Sequence, residues 1–243
     1  MRSAYGVKNW LAPGLSLTLL GLLIFFPDLW ARLIKLIYPE AAIVAYPGTS
    51  LGQLVAEHLL LVLASSLLSI SLGVLLGILV TRPSGREYRQ AAGDITAMGQ
   101  TFPPVAVIAL AVPLLGFGYP PTLLALFLYG ILPVIKNTSA GLEAVSADLI
   151  EAATGQGMSR GQLLRRVELP LASRVIMAGI RTSVIVNIGT ATIGAAFGAG
   201  GLGAPIIAGL VRDNPALILQ GAIPAALLAI IADMLLARLE LRS

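Results

Sequence analysis

The sequence predicts an all-α protein that crosses a membrane about six times. Hydrophobic residues make up 57% of the 243 residues and charged residues only 12%, and the mean hydropathy is +0.89. A soluble domain carries about a quarter charged residues, so this chain has too few charges to cover a water-facing surface. Its apolar residues instead fall into runs near the length of about 20 residues that a helix needs to cross a bilayer.

Six apolar runs are predicted to be the membrane helices. They are roughly Leu11–Phe26, Val55–Val80, Ile95–Leu115, Pro121–Ile135, Leu171–Phe197 and Leu217–Leu236. No cleavage site of the A-x-A type follows the first run, so we expect an uncleaved helix there rather than a signal peptide. Residues 1–50 are expected to form this helix and an external connection, and residues 51–239 one membrane domain. Within the second run, Gly73 and Gly77 predict close packing against a neighbouring helix.

The basic residues predict how the chain is oriented. With the N-terminus in the cytoplasm, twelve lysines and arginines fall on the cytoplasmic side, while Arg32, Lys35 and Arg212 fall outside. This asymmetry follows the positive-inside rule, and six spans then place both termini in the cytoplasm. It also explains the pI of about 9.7 without nucleic acid as a partner. The absence of cysteine excludes disulfides and thiolate metal sites.

A polar segment at about residues 141–170 separates the fourth and fifth runs. The alanine-rich stretch from Glu143 to Ala153 favours a helix, and Gly155 and Gly157 can end it. We therefore predict a first short helix that stops at a glycine bend on the cytoplasmic surface.

A second short helix is predicted after the bend. Ser159 and Gln162 have the spacing of a capping box, and Pro170 suits the first turn of the following membrane helix. A helix, a bend and a second helix together make a projection that fits a cleft in a partner protein. The alternative is an amphipathic loop that lies on anionic lipid.

The spacing of this segment resembles the EAA loop of permease subunits of bacterial ABC importers. The pattern E-A-A-x3-G-x9-V-x-L-P begins at Glu151 and ends at Pro170, with Val167 where the family has isoleucine. In that family the loop docks into a separate ATPase subunit. The resemblance implies that the ATPase is contacted by Glu151, Ala152, Ala153, Gly157, Ser159, Arg160, Leu169 and Pro170.

Three further stretches resemble the glycine betaine/choline-type osmoprotectant permeases in particular. They are Q-T-F-P at residues 100–103, N-I-G-T-A-T-I at residues 187–193 and G-A-G-G-L-G at residues 198–203. The resemblance implies the type I ABC importer (MetI-like) permease fold. The expected function is translocation of a small osmoprotectant such as glycine betaine or choline.

The resemblance also implies the partners and the location. Two ATPase subunits would bind ATP, a second permease chain (identical or a sister) would complete the route, and an external binding protein would deliver the solute. The chain would lie in a bacterial inner membrane, without catalytic residues or a cofactor of its own. In keeping with this, the sequence contains no P-loop motif, and its G-x-G-x-x-G stretch at residues 198–203 follows a membrane helix rather than a strand. We expect a tight external turn there.

Polar residues inside the predicted spans are candidates for the translocation pathway. They are Gln100, Thr101, Pro103, Arg181, Asn187, Thr190 and Thr192. A charge within a span costs about 2.5–3.5 kcal/mol, so Arg181 needs a water-filled cavity or a partner, for which Asp94 is one candidate. The uncharged residues have a second interpretation, as interhelical hydrogen-bonding groups.

Two other functions stay open at this point. The first is an import permease for an amino acid or another small solute, because such permeases share the same core. The second is a stand-alone secondary carrier or channel, which would show inverted repeats. No repeat is visible in the sequence, and this function leaves the EAA-like segment unexplained.

Overall fold

The computed structural model describes residues 11–82, 94 and 101–242, and within these ranges every regular element is a helix. The helices, in chain order, are α1 Leu11–Phe25, α2 Pro27–Ile37, α3 Leu51–Thr81, α4 Pro104–Leu115, α5 Tyr119–Glu143, α6 Ala147–Gly155, α7 Arg160–Leu163, α8 Leu169–Gly194, α9 Gly203–Val211 and α10 Pro215–Arg242. A π-helical turn at Leu164–Glu168 joins α7 to α8. The predicted all-α class is therefore confirmed.

Four helical runs in the described ranges are long and apolar enough to cross a membrane: α3, α5, the run Arg160–Phe197 that contains α8, and α10. The first predicted span corresponds to α1, which meets α2 at an angle of 98°. Counting this bent pair of helices as one span gives five. In the third predicted span, the structure describes residues 101–115, which include α4, a helix of 12 residues. Residues 95–100 of that span lie outside the description.

The centre of the bundle is formed by α3, α5 and α8, with α10 packed against α8. Small residues allow the close approach of α3 and α5. A Cβ added at Gly73 would lie 2.8 Å from the Cβ of Val134, and one added at Gly77 would lie 2.5 Å from the Cβ of Thr138. The close packing predicted for these two glycines is confirmed, and any larger residue there would push the two helices apart.

The predicted external connection contains the helix α2, which the sequence analysis did not assign. Trp30 and Ile34, one turn apart, are its buried residues, and charged residues interrupt the apolar pattern on its other faces. The indole Nε1 of Trp30 donates a hydrogen bond to the carbonyl of Val44 at 2.9 Å. Farther along the connection, the backbone N–H of Tyr46 donates to the side-chain oxygen of Gln220 at 2.6 Å, which ties the connection to α10.

The polar segment between the fourth and fifth predicted spans differs from the prediction in one boundary. The predicted helix from Glu143 to Ala153 is divided, because α5 continues to Glu143 and α6 begins at Ala147. Ser146, before α6, has extended backbone angles and makes no side-chain capping bond. The helix propensity of the alanines did not show this break, since propensity alone does not locate a helix end.

Candidate functional site

The bend after α6 is built around Gly157. The N–H of Gly157 donates to the carbonyl of Thr154 at 2.9 Å, and the N–H of Met158 donates to the carbonyl of Ala153 at 3.2 Å. These two bonds form a Schellman motif, which requires a left-handed residue just after the helix. Gly157 has a φ of +82°, so the predicted glycine bend is confirmed, and its geometry depends on this residue having no Cβ.

The helix after the bend begins at the predicted capping box. The N–H of Gln162 donates to Ser159 Oγ at 3.4 Å, and the N–H of Ser159 donates to Gln162 Oε1 at 2.8 Å. From Arg160 the helical run continues through the π turn into α8 without a break. A force applied at the bend therefore acts on one end of a membrane-spanning helix.

Most of the residues that the EAA-like pattern assigns to docking lie at the surface of the chain. The exposed ones are Glu151, Ala152, Gly157, Ser159, Arg160 and Pro170. Ala153 is 6% exposed and Leu169 is half-buried, so these two side chains pack against the rest of the chain and do not lie fully at its surface. The structure thus gathers the predicted residues into one exposed segment, which we call the coupling segment, residues 147–170.

An ion pair that the sequence analysis missed fixes the end of the coupling segment. Arg82, directly after α3, donates from Nη1 to both carboxylate oxygens of Glu168, at 2.8 and 3.2 Å. Glu168 is buried although its neighbours Arg165 and Arg166 are exposed. A lone acidic residue inside a basic and apolar stretch was the available sign in the sequence, but nothing there identified Arg82 as its partner.

A cluster of small polar side chains lies in the middle of the bundle. The amide Nδ2 of Asn187 on α8 donates to Ser65 Oγ at 3.2 Å and to Ser66 Oγ at 3.1 Å, both on α3. Asn187 is completely buried in this chain. On α3, Ser69 Oγ also donates to the carbonyl of Phe127 on α5 at 3.1 Å. The cluster therefore holds the three central helices together. For Asn187, this agrees with the second interpretation from the sequence, a hydrogen-bonding group between helices.

The other uncharged pathway candidates occupy varied positions. Thr190 is buried, while Thr192 donates to the carbonyl of Gly189 in its own helix at 2.7 Å. Thr101 and Pro103 are exposed at the start of α4, and Gln100 lies outside the described residues. These positions do not assign a role in translocation, and the pathway function of all of them stays a prediction.

Arg181 has partners other than the one suggested by the sequence. Its Nε and Nη2 donate to the two carboxylate oxygens of Asp233 at 2.6 and 2.9 Å, and its Nη1 donates to Glu240 at 3.3 Å. The suggested pairing with Asp94 is wrong. Arg181 is at the middle of α8, and α10 packs along that helix. The sequence could not show which of the distant acidic residues α10 would bring to this face.

The glycine-rich stretch after α8 forms the predicted turn. Gly198, Gly200 and Gly201 all have positive φ angles. The N–H of Gly201 donates to Glu57 Oε2 on α3 at 2.9 Å, and α9 begins at Gly203. The stretch thus joins two helices and is held to α3, and within the described residues no strand precedes it, as a dinucleotide-binding fingerprint would require.

Comparison with known families and relatives gives one consistent result. The family model described as binding-protein-dependent transport system inner membrane component matches residues 73–243. The osmoprotectant import permease protein OsmY of Salmonella typhimurium is 45% identical over 188 residues, covering 77% of this chain and 78% of that protein. The choline transport system permease protein OpuBB of Bacillus subtilis is 41% identical over 204 residues, covering 82% and 92%.

Solved structures with the same fold come from ABC importers. The MetNI methionine ABC transporter in an inward-facing conformation matches with a TM-score of 0.69 at 21% identity, covering 79% of this chain and 95% of that one. An amino acid ABC transporter matches with a TM-score of 0.61 at 17% identity. At this level of identity the likeness establishes the fold, and the predicted MetI-like permease fold is confirmed.

Proposed function

The chain belongs to the family of binding-protein-dependent transport system inner membrane components, and from this premise we propose that it is the membrane-spanning permease subunit of an ATP-driven importer for a small osmoprotectant. The names of its relatives support this solute class, because they include permeases for osmoprotectants, for choline, and for glycine betaine, carnitine and choline. Glycine betaine or choline is the solute that we propose first.

The coupling segment is the observation that carries the proposal. It presents Glu151, Ala152, Gly157 and Arg160 at the surface of two short helices and the bend between them, whose shape is fixed by the Schellman motif and the capping box. A rigid projection of this kind can enter a cleft in a partner without losing much conformational freedom on binding. We propose that the partner is an ATPase subunit on the cytoplasmic side.

The connections of the coupling segment suggest how ATP would drive the membrane helices. When ATP draws two ATPase subunits together, the coupling segments of two permease chains would move with them. The continuous helical run from Arg160 transmits this displacement to α8. The Arg82–Glu168 ion pair would carry the same displacement to α3, and the ion pairs of Arg181 would carry it to α10. The helices would thus shift as a unit between two states whose populations depend on differential ATP affinity.

The remaining parts of the transporter follow from the same proposal. ATP would be bound by two ATPase subunits, so this chain would need no cofactor or catalytic residue. A second permease chain, identical or a sister, would complete the route, and a binding protein outside the membrane would deliver the solute. We place the chain in the inner membrane of a bacterium with both termini in the cytoplasm, as its basic residues favour.

Solute uptake by the assembled transporter tests the proposal. The chain would be affinity-purified from its native membrane with whatever accompanies it, reconstituted into liposomes and supplied with ATP inside. We expect co-purification of an ATPase subunit and ATP-dependent accumulation of betaine or choline once the binding protein is added. Uptake of an amino acid in their place would support the alternative solute class, which the solved structures of the same fold represent. Recovery of the chain without an ATPase would contradict the proposal and favour a stand-alone carrier.

A further inference from the structure

The helix α2 runs almost at a right angle to α1, since the two helices meet at 98°. α1 contains no charged residue, its exposed residues include Leu15, Leu22 and Phe25, and it packs against the spans α3 and α10. We therefore place α1 in the hydrocarbon. Because membrane helices tilt by only about 20° on average, a helix perpendicular to α1 lies close to the membrane plane. α2 has 11 residues, which makes it roughly 16 Å long and too short to cross the bilayer.

The residues of α2 fall into three separate sectors around the helix at 3.6 residues per turn. The first sector packs against the protein through Trp30 and Ile34. The second is charged and exposed, and comprises Asp28, Arg32 and Lys35. The third is apolar and comprises Leu29, Leu33, Leu36 and Ile37. Leu33, Leu36 and Ile37 are 41%, 79% and 64% exposed, so nothing in the described part of the chain covers the apolar sector.

The apolar sector of α2 continues onto the exposed apolar surface of α1. The groove in the angle between the two helices is lined by Leu22 and Phe25 of α1, by Leu29 of α2, and by Asp28 and Arg32. Since Leu22 and Phe25 belong to a helix in the hydrocarbon, Leu29 faces the hydrocarbon from its boundary. The rest of the apolar sector shares the face of Leu29, because residues three, four and seven apart lie on one side of a helix.

α2 lies at the end of the bundle opposite the coupling segment. Its buried residues Trp30 and Ile34 belong to the same core cluster as Leu51, and the connection after α2 leads into α3 at that residue. The coupling segment is tied to the other end of α3 through Arg82. With the coupling segment in the cytoplasm, α2 is at the outer surface of the membrane.

Lipid is the partner that this surface fits. The apolar sector is set against the hydrocarbon, and the basic residues Arg32 and Lys35 lie beside it at the depth of the lipid phosphates. Within the described ranges, neither of them is paired with a carboxylate. Leucines on one face and basic residues on another are typical of helices that lie in the membrane interface.

We propose that α2 is an interfacial helix. Its apolar sector inserts into the outer leaflet, its charged sector faces the headgroups and water, and Trp30 and Ile34 hold it to the bundle. This surface would bind lipid whichever solute the chain transports, and independently of an ATPase.

Nitroxide labels test this arrangement, and the absence of cysteine allows one thiol to be introduced at a time. Leu33→Cys and Leu36→Cys would place the label in the apolar sector, and Arg32→Cys and Lys35→Cys would place it in the charged sector. Leu15→Cys on α1, 71% exposed, is the reference for a site that faces lipid. The chain, purified with its accompanying subunits, would be reconstituted into vesicles of phosphatidylethanolamine and phosphatidylglycerol. Electron paramagnetic resonance would then compare collisions of each label with oxygen, which dissolves in lipid, and with a nickel chelate, which stays in water.

We expect the labels at positions 33 and 36 to collide mainly with oxygen and to lie about 5–10 Å inside the headgroup boundary. The labels at positions 32 and 35 should collide mainly with the nickel chelate. Nickel collisions at all four positions would show that α2 lies in water, and oxygen collisions at all four would show that it is part of a bent span. Few collisions with either reagent at positions 33 and 36 would show that a protein surface, such as a second copy of the chain, covers the apolar sector. Each of these three results would overturn the proposal.

Discussion

Arg82 donates two hydrogen bonds to the buried carboxylate of Glu168, at 2.8 and 3.2 Å, and so ties the C-terminal end of α3 to the start of α8. The bonds join two helices at the point where the coupling segment enters the membrane domain. We regard this pair as the structural link through which a movement of the coupling segment would displace α3.

Replacing Arg82 should destabilise the protein and weaken this link. We expect Arg82→Gln to lower the free energy of unfolding by about 2 kcal/mol, because a buried carboxylate loses its charged partner. Thermal unfolding of the purified chain in detergent would measure the change, with Arg174→Gln, at an exposed arginine, as the control. The double variant Arg82→Gln with Glu168→Gln should be less destabilised than the sum of the two single variants. Additive effects would show that the two residues do not interact.

The bend at Gly157 gives a prediction about ATPase binding. A valine there would have to adopt a φ of +82°, which costs about 1–2 kcal/mol for a residue with a Cβ. The free variant would leave this conformation and would have to regain it on docking. Since about 1.4 kcal/mol corresponds to a tenfold change in affinity, we expect Gly157→Val to lower the affinity for the ATPase about tenfold and to reduce the amount recovered with the chain.

Gly155→Ala is the matched control for the bend. Gly155 is in the same segment, has no left-handed φ, and its added Cβ would meet no atom within 4 Å. We expect this variant to retain the ATPase fully. Equal losses from both substitutions, or none from Gly157→Val, would show that the bend geometry does not determine docking.

Overpacking at Gly130 should disturb the central helices. A Cβ at this position would lie 2.7 Å from Ser69 Oγ, 2.8 Å from Asn187 Nδ2 and 2.9 Å from Ser183 Oγ. We expect Gly130→Ala to lower stability by about 1–3 kcal/mol, measured as a fall in Tm. Gly189→Ala, where the added Cβ meets nothing within 4 Å, should leave Tm unchanged or slightly raised. Adding Ser183→Ala should restore part of the loss, and a lack of any rescue would place the strain elsewhere.

Replacing Asn187 would distinguish a structural role of this residue from a role in solute binding. Loss of its two interhelical hydrogen bonds should cost about 1 kcal/mol, at about 0.6 kcal/mol for each bond. We therefore expect Asn187→Ala to lower Tm and the amount of assembled transporter, while the KM for solute uptake stays the same. A raised KM with unchanged stability would assign Asn187 to the translocation pathway instead.

The sequence predicted the coupling segment well because its structure is encoded locally. The left-handed glycine at residue 157 and the capping box of Ser159 and Gln162 each depend on a few neighbouring residues, and the structure has both. The close packing at Gly73 and Gly77 could also be predicted, because small residues at helical spacing favour close approach of whichever helix lies beside them.

The sequence did not show the contacts between distant residues. Glu168 pairs with Arg82 and Arg181 pairs with Asp233 across separations of 86 and 52 residues, and only the packing of α3, α8 and α10 determines these pairs. The helix α2 was missed for another reason. It buries Trp30 and Ile34 but carries charges on its other faces, so a search for continuous apolar runs does not detect it.

Cross-linking from the coupling segment tests the central claim most directly. Ala152→Cys would place a thiol on the exposed surface of the coupling segment, and Val211→Cys, 81% exposed on α9, is the control at the predicted outer side. A benzophenone maleimide would be attached to the thiol in native membranes and photolysed, which needs no thiol on the partner, and the adducts would be identified by mass spectrometry. We expect Ala152→Cys to yield an adduct with an ABC ATPase subunit and Val211→Cys to yield none. An Ala152→Cys variant that is labelled but never cross-linked to an ATPase would contradict the account.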